Sequence, residues 1–207
     1  MYQIVFKRIF DFLFALTLLL MVSPILLLVT ILLYFANDGA PFFYQQRPGK
    51  NEKTFRIMKF KTMNDKVDEN GNLLSDTERL TKTGKFVRKT SLDEIPQMVN
   101  ILKGDMSLIG PRPLLIRYLP FYTETERKRH SVLPGITGLA QISGRNILKW
   151  DDRLAKDCEY VDNISFALDI KIFFTTIKNV LQSKDNVADP RSLMLDLDEE
   201  RKKAKSL

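Results

Sequence analysis

Two adjacent acids, Asp93 and Glu94, stand between Ser91 and Pro96. Proline is tolerated in the first turn of a helix and glycine commonly ends one, so a helix is expected from about Ser91–Glu94 to just before Gly104. A helix N-terminus carries partial positive charge and unpaired amides, which favours an ionised carboxylate and equally an anionic ligand. Ser91 and Glu94 also match a capping box, which would make the acids ordinary caps. The neighbours argue for more. Arg88 and Lys89 precede the pair, and Arg112 and Arg145 lie in two Pro/Gly-dense stretches, Gly110-Pro111-Arg112-Pro113 and Pro134 to Arg145. Guanidinium groups match phosphate oxygens in a fork; turns held by Pro111 and Pro113 would fix their approach, and the glycines would let backbone amides come close to a ligand. Neither stretch is a Walker loop or a dinucleotide fingerprint.

Asp169 is a further candidate, because a carboxylate within Phe166-Ala167-Leu168-Asp169-Ile170 needs a partner if its surroundings are apolar. Lys59, Arg88 and Arg145 are the cations considered for it. His130 and Cys158 have no partner motif and are read as structural. A lone cysteine excludes an intramolecular disulfide, fits a reducing compartment and, with one histidine, leaves no soft metal cluster.

The elements that must position these groups begin with an apolar run, Phe12 to Ala36, that carries no charge. As a helix it would extend about 37 Å at ~1.5 Å per residue, enough to cross a bilayer. The run is too long for a signal peptide and ends without a cleavage site. Lys7 and Arg8 precede it, and Arg47, Lys50, Lys53, Arg56, Lys59 and Lys61 follow, so both ends favour the cytoplasmic side. Ser23-Pro24 near the middle predicts a kink, leaving a spanning and a re-entrant helix both open. Asp11 is placed to pair with Lys7 and Arg8 on one helical face.

Beyond the run, Thr54–Met63 reads as a short strand or extended segment. Asn64–Asp76 reads as a solvated loop whose ligand positions do not fit calcium. Leu114–His130 reads as an amphipathic segment lying on headgroups or covering a core. Ser165–Ser183 reads as a packing helix with Phe166, Ile170, Phe173, Ile177 and Leu181 on one face. The residues from Asp196 onward have too little apolar surface to fold alone. The net charge of +7 comes without any nucleic-acid motif, so an anionic membrane surface explains it better than nucleic acid does. A basic membrane scaffold is the non-enzymatic alternative.

Taken in order, Lys7-Arg8-x-x-Asp11, Phe55 through Lys59-Phe60-Lys61-Thr62-Met63, Arg88-x-x-Ser91-Leu92-Asp93-Glu94-x-Pro96-Gln97, Asn100, Lys103-Gly104-Asp105-Met106-Ser107, Gly110-Pro111-Arg112-Pro113 and Pro134-Gly135-x-Thr137-Gly138 through Gly144-Arg145 resemble the bacterial sugar transferases, the monotopic polyprenol-phosphate phosphoglycosyl transferases. The resemblance runs from about Tyr2 to Asp189 and is nearest to the minimal members that use UDP-N,N'-diacetylbacillosamine in protein N-glycosylation. It implies a mainly α fold with little β: a re-entrant helix over 1–36 broken at Ser23-Pro24, a membrane-apposed cytosolic catalytic domain over 37–190 with amphipathic interfacial helices, and a charged tail over 191–207.

The resemblance further implies ping-pong transfer of a sugar 1-phosphate from a UDP-sugar to undecaprenyl phosphate at the cytoplasmic face of the bacterial inner membrane. In it Asp93 is the nucleophile, Glu94 its neighbour, and both associate with Mg²⁺. Arg88, Arg112, Arg145 and Lys59 are implied phosphate or nucleotide ligands, with Asp169, Pro111 and Pro113 in support. Phospholipid and downstream glycosyltransferases are implied partners. A UDP-hexose phosphate transferase starting capsule or O-antigen assembly shares every motif, and no segment names the sugar. Arg47-Pro48-Gly49 departs from the family pattern at Pro48, which bears on loop shape.

Overall fold

The computed structural model describes residues 2–144, 148–182 and 195–205. After a π-helical turn, Tyr2–Phe6, comes α1, Lys7–Ala36, the one helix among the described residues long and apolar enough to cross a membrane. Pro24 lies inside it without ending it. Proline has no amide to give the carbonyl four residues back, and the Ser23 hydroxyl donates to that carbonyl, Leu20 O, at 2.9 Å. A sparse stripe of α1 meets the protein, and it does so near both ends. Asp11 and Ala15 are buried beside Met98, Ile101, Met106 and Leu108, while Val29 and Leu33 pack on Phe60 and Val87. Between them Leu20 and Met21 are 67% and 74% exposed, so the apolar middle is left for a non-aqueous phase.

Two strands follow: β1, Phe42–Pro48, and β2, Thr54–Phe60, antiparallel from Phe42↔Phe60 to Pro48↔Thr54. β2 was legible as alternation. Its partner was not, because Phe42-Phe43-Tyr44 has no apolar/polar alternation, although its aromatics favour strands. The 64–76 loop is stabilised by its own Asp68, whose Oδ1 accepts the amides of Asn70 and Asn72. It leads to α2, Asp76–Arg79, and α3, Lys82–Lys89. A 3₁₀ turn, Leu92–Gln97, runs into α4, Met98–Lys103, which ends on Gly104 at φ 94°, the left-handed stop expected there.

β3, Ser107–Ile109, and β4, Gly135–Thr137, form a small parallel pair. Here Gly110 and Gly135 do not serve the expected purpose. Gly110 and Gly135 press backbone on backbone: a Cβ on Gly135 would lie 2.1 Å from the Gly110 amide nitrogen. Gly135 N–H donates to Pro111 and Gly110 N–H to Thr137. These amides are consumed in joining the two Pro/Gly stretches and are not offered to a ligand.

Leu114–His130 is a chain of short turns around α5, Glu124–Arg127, rather than one helix, with Leu114, Tyr118 and Tyr122 buried. α6, Leu139–Ser143, and α7, Trp150–Asp162, complete this side. The terminal helix α9, Leu197–Lys205, docks here: Leu197 is fully buried with Tyr118, Trp150 and Leu154, and Arg201 bonds Glu126 at 2.7 Å. The segment lacks apolar surface for a core of its own but contributes one residue to a neighbour's.

α8, Phe166–Leu181, corrects the expected facing. Phe166, Ile177 and Leu181 are exposed, and the buried positions are Asp169 and Ile172. Asp169 dictates that rotation. It accepts from Lys7 Nζ at 2.7 Å, Tyr2 Oη at 2.7 Å and Tyr160 Oη at 2.8 Å. Neither Lys59 nor Arg88 is among these partners. Lys7 is thus committed to Asp169 and Arg8 reaches Met106 O, so Asp11 does not pair with them as expected; it accepts from Ser107 Oγ at 2.6 Å and Leu108 N–H at 3.2 Å. Replacing Asp11 by Ala strands the buried Leu108 amide, and stability should fall by about 1–3 kcal/mol, less for Asp11→Asn, read as the unfolding midpoint of the detergent-solubilised chain.

Candidate active site

The acid pair sits on the 3₁₀ turn directly after Ser91, which is left-handed at φ 57° and makes no side-chain cap. The capping box is therefore absent, and the Glu94 side chain is free to turn elsewhere. It meets two cations with one oxygen: Lys59 Nζ lies 2.6 Å and Arg112 Nη2 2.7 Å from Glu94 Oε1. Burial works to raise the Glu94 carboxyl, but Arg112 and Lys59 outweigh it and hold the group well below the usual carboxylate range.

Asp93 differs from its neighbour. Among the described residues it has no side-chain hydrogen bond or ion pair. Burial, then the charge of Glu94, pushes its pKa up to about 6, against the opposing pull of Lys59, Arg88 and Arg112. One carboxylate is thus held in its ionised form by two cations on a single oxygen, and the other is poised near neutrality with its oxygens unengaged among the described residues.

Each cation is set by backbone that another residue holds. Lys59 is on β2, which Asn100 ties to α4 by accepting the Met58 amide at 3.1 Å and donating to Arg56 O at 2.8 Å. Arg88 ends α3 and gives its Nε–H to Thr62 Oγ1 at 2.9 Å, where Gly84 lets α3 come close: a Cβ there would be 1.9 Å from Thr62 O. Arg112 projects with a partly exposed side chain from a turn anchored on both sides. Pro111 O accepts from Gly135, and Arg112 O accepts from Arg129 Nη2 at 2.6 Å. Arg129 is itself buried and paired with buried Asp157, at 2.8 Å through Nη2 and 3.0 Å through Nε.

Of the residues singled out from sequence, Asp93, Glu94, Lys59, Arg88 and Arg112 gather here, with Pro111 and Pro113 flanking Arg112. Asp169 and Lys7 join the membrane helix to α8 instead, and Arg145 lies outside the described residues. Arg129 and Asp157 were missed; Arg129 was read with a surface segment. The available signal was Asp157 sharing a helical face with Leu154 and Tyr160, the pattern of a buried acid in need of a cation. Among the described residues no group of three or more His, Cys, Asp or Glu could hold a metal ion.

An apolar helix resting both ends on a small α-rich body, with an acid pair ringed by cations, defines a membrane-associated protein with an anion-handling site. The chain belongs to the bacterial sugar transferase family, whose model matches residues 2–183. It is 51% identical over 181 residues to the uncharacterized sugar transferase EpsL of Bacillus subtilis, covering 87% of this chain and 89% of that one. It is 38% identical over 195 residues to the exopolysaccharide production protein ExoY of Rhizobium meliloti, covering 86% of each. The UDP-glucose:undecaprenyl-phosphate glucose-1-phosphate transferase of Escherichia coli is 38% identical over 183 residues, 83% of this chain and 39% of that longer protein.

Arg129→Met should leave Asp157 as an uncompensated buried charge and lower stability by about 3–5 kcal/mol. The double change Arg129→Met, Asp157→Leu should recover most of that loss, as measured by chemical denaturation of the single and double variants.

Proposed function

We propose that this chain transfers a sugar 1-phosphate from a UDP-sugar to undecaprenyl phosphate, releasing UMP, as the first membrane step of an exopolysaccharide or related surface glycan. The observation that carries this reading is the division of labour in the acid pair: one oxygen of Glu94 takes both Lys59 and Arg112, and Asp93 is left unengaged among cations by the described residues. The relatives' names, exopolysaccharide production and glucose 1-phosphate transfer, favour a UDP-hexose over UDP-N,N'-diacetylbacillosamine and over a role in protein N-glycosylation. A passive scaffold would not need an unpaired carboxylate beside one already paired with two cations.

In the first half-reaction an Asp93 oxygen attacks the β-phosphorus of the donor. The bond from that phosphorus to the bridging oxygen breaks, its electron pair stays on that oxygen, and UMP leaves. In the second, an oxygen of the prenyl phosphate attacks the same phosphorus and the Asp93 carboxylate departs with the acyl-phosphate bond pair, regenerating the enzyme. Lys59, Arg88 and Arg112 lower the repulsion between an anionic nucleophile and an anionic diphosphate. Mg²⁺ suits the residues present. It is commonly held by one or two carboxylates together with substrate phosphates, and Asp93 and the free oxygen of Glu94 would hold it, where its charge would offset that of the diphosphate.

The membrane placement follows the same chemistry. Both ends of α1 pack on one body and basic residues flank both, which supports re-entry at Ser23-Pro24 from the cytoplasmic face of the inner membrane. A phosphate on a long lipid can then react at the headgroup plane. The exposed apolar face of α8 would seat in the same layer.

The decisive measurement is UMP release from a panel of UDP-sugars with undecaprenyl phosphate and Mg²⁺, with intact-mass detection of a phosphosugar adduct when acceptor is omitted. Asp93→Asn should abolish both release and adduct; undiminished turnover by that variant sinks the covalent mechanism. The ionised fraction of Asp93 grows as pH rises through about 6. The kcat/KM of the wild type should therefore rise about tenfold from pH 5 to pH 7, and Arg112→Gln, which removes a cation that favours the ionised form, should move this acid limb to higher pH.

A further inference from the structure

Two consecutive carbonyls beside the acid pair are each met by an arginine from another element. Arg129 donates to Arg112 O at 2.6 Å, and Arg47 of β1 donates to Pro113 O at 3.5 Å. The two arginines differ in what balances their charge. Arg129 has Asp157. Arg47, half-buried, has the neutral Gln45 Oε1 at 2.6 Å, no carboxylate within ion-pair distance among the described residues, and a buried Nε–H with no acceptor. Burial, with the charge of Arg112 adding to it, pushes Arg47 down to about 10. A guanidinium in such a place is a cation short of an anion.

Its position says which anion. Phe43 pairs with Lys59 and Arg47 with Phe55, so Lys59 and Arg47 stand on one face of the hairpin. They are separated by about 13 Å along the strand at ~3.3 Å per residue. Arg112 links them, through Glu94 to Lys59 and through Pro113 to Arg47. β1 starts just after α1, beside the Val29 and Leu33 contacts, and runs away from them, so Lys59 lies at the membrane-helix end of this track and Arg47 at the far end.

We propose that Arg47, with Arg112, forms a second anion subsite that receives the phosphate retained by the departing nucleoside monophosphate. This rests on the transfer reading above. A prenyl phosphate approaches from the α1 side and has no need of this end; a nucleotide reaching from the acids toward solvent does. When the bond to the β-phosphorus breaks, the bridging oxygen keeps the electron pair and the nucleotide phosphate gains negative charge. A fixed guanidinium there stabilises the leaving group more than the intact donor.

The test uses the full-length chain in lipid nanodiscs. Equilibrium binding and product inhibition by UMP are compared for wild type, Arg47→Gln and Arg47→Lys, with binding of undecaprenyl phosphate and thermal unfolding measured alongside. Arg47→Gln should weaken UMP about 10- to 100-fold, the loss expected for a charge-assisted contact, and leave undecaprenyl phosphate binding within a factor of two. Arg47→Lys keeps the charge and most of the stem, so it serves even where the glutamine variant unfolds; it should weaken UMP severalfold because the fork is lost. Folded Arg47→Lys with wild-type UMP affinity, or equal losses for UMP and prenyl phosphate, overturns the subsite alone. Wild type that binds no UMP overturns the subsite and the transfer reading together.

Discussion

One oxygen of Glu94 accepts from two cations, Lys59 and Arg112, and the rest of the site depends on that fork. On an exposed surface such contacts contribute little, because water competes for each partner and salt screens them. Here Lys59 and Glu94 are largely shielded, so the arrangement settles which acid is committed and which stays available. A solitary aspartate among three cations would be drawn into a salt bridge. With Glu94 occupying two of them, Asp93 keeps a raised pKa and unengaged oxygens.

That fork and Arg88 beside it require three backbone segments to hold still, and each is secured by a group outside the site. Asn100 ties β2 to α4, Thr62 takes Arg88, and the buried Arg129–Asp157 pair grips the carbonyl of Arg112. Buried polar pairs give little net stability compared with apolar packing, yet they resist displacement strongly because separating them exposes an unsolvated charge. The same logic operates at the membrane end. The Asp169 cluster of Lys7, Tyr2 and Tyr160 fixes where α1 enters the body, and Asp11 on Ser107 and Leu108 joins α1 to β3. Through these contacts the apolar helix is rigidly referenced to the acids, which matters for a site whose acceptor is a lipid.

Legibility from sequence followed interaction range. The apolar run, the strand at Thr54, the helix closing at Gly104 and the acid pair among arginines were all visible as local patterns, because each depends on residues within a turn or two. Partner choice was not. Sequence leaves Lys59, Arg88 and Arg145 all open as partners of Asp169 and sets Asp11 beside Lys7 and Arg8, whereas Lys59 belongs to Glu94 and Lys7 to Asp169. One lysine is chemically as good as another until the fold brings a particular carboxylate within reach. The face of α8 was misjudged for a related reason: periodicity marks an apolar stripe, but a single buried carboxylate with three donors outweighed it and turned Phe166 and Leu181 outward.

Sequence alone determined the inventory: a charge-free segment long enough for a bilayer, basic flanks at both its ends, an Asp-Glu pair near a helix start, and arginines and glycines on proline-stiffened turns. These are properties of composition and short-range spacing, which the chain carries whether folded or not. Only the tertiary structure decided that both ends of α1 rest on one body, that Gly110 and Gly135 meet backbone to backbone, and that among the described residues Glu94 takes the cations and leaves Asp93 free while Arg47 lacks a counter-charge. Those outcomes depend on which groups from distant parts of the chain share a few ångströms of poorly solvated space, where electrostatic and desolvation energies are large enough to choose among chemically equivalent partners.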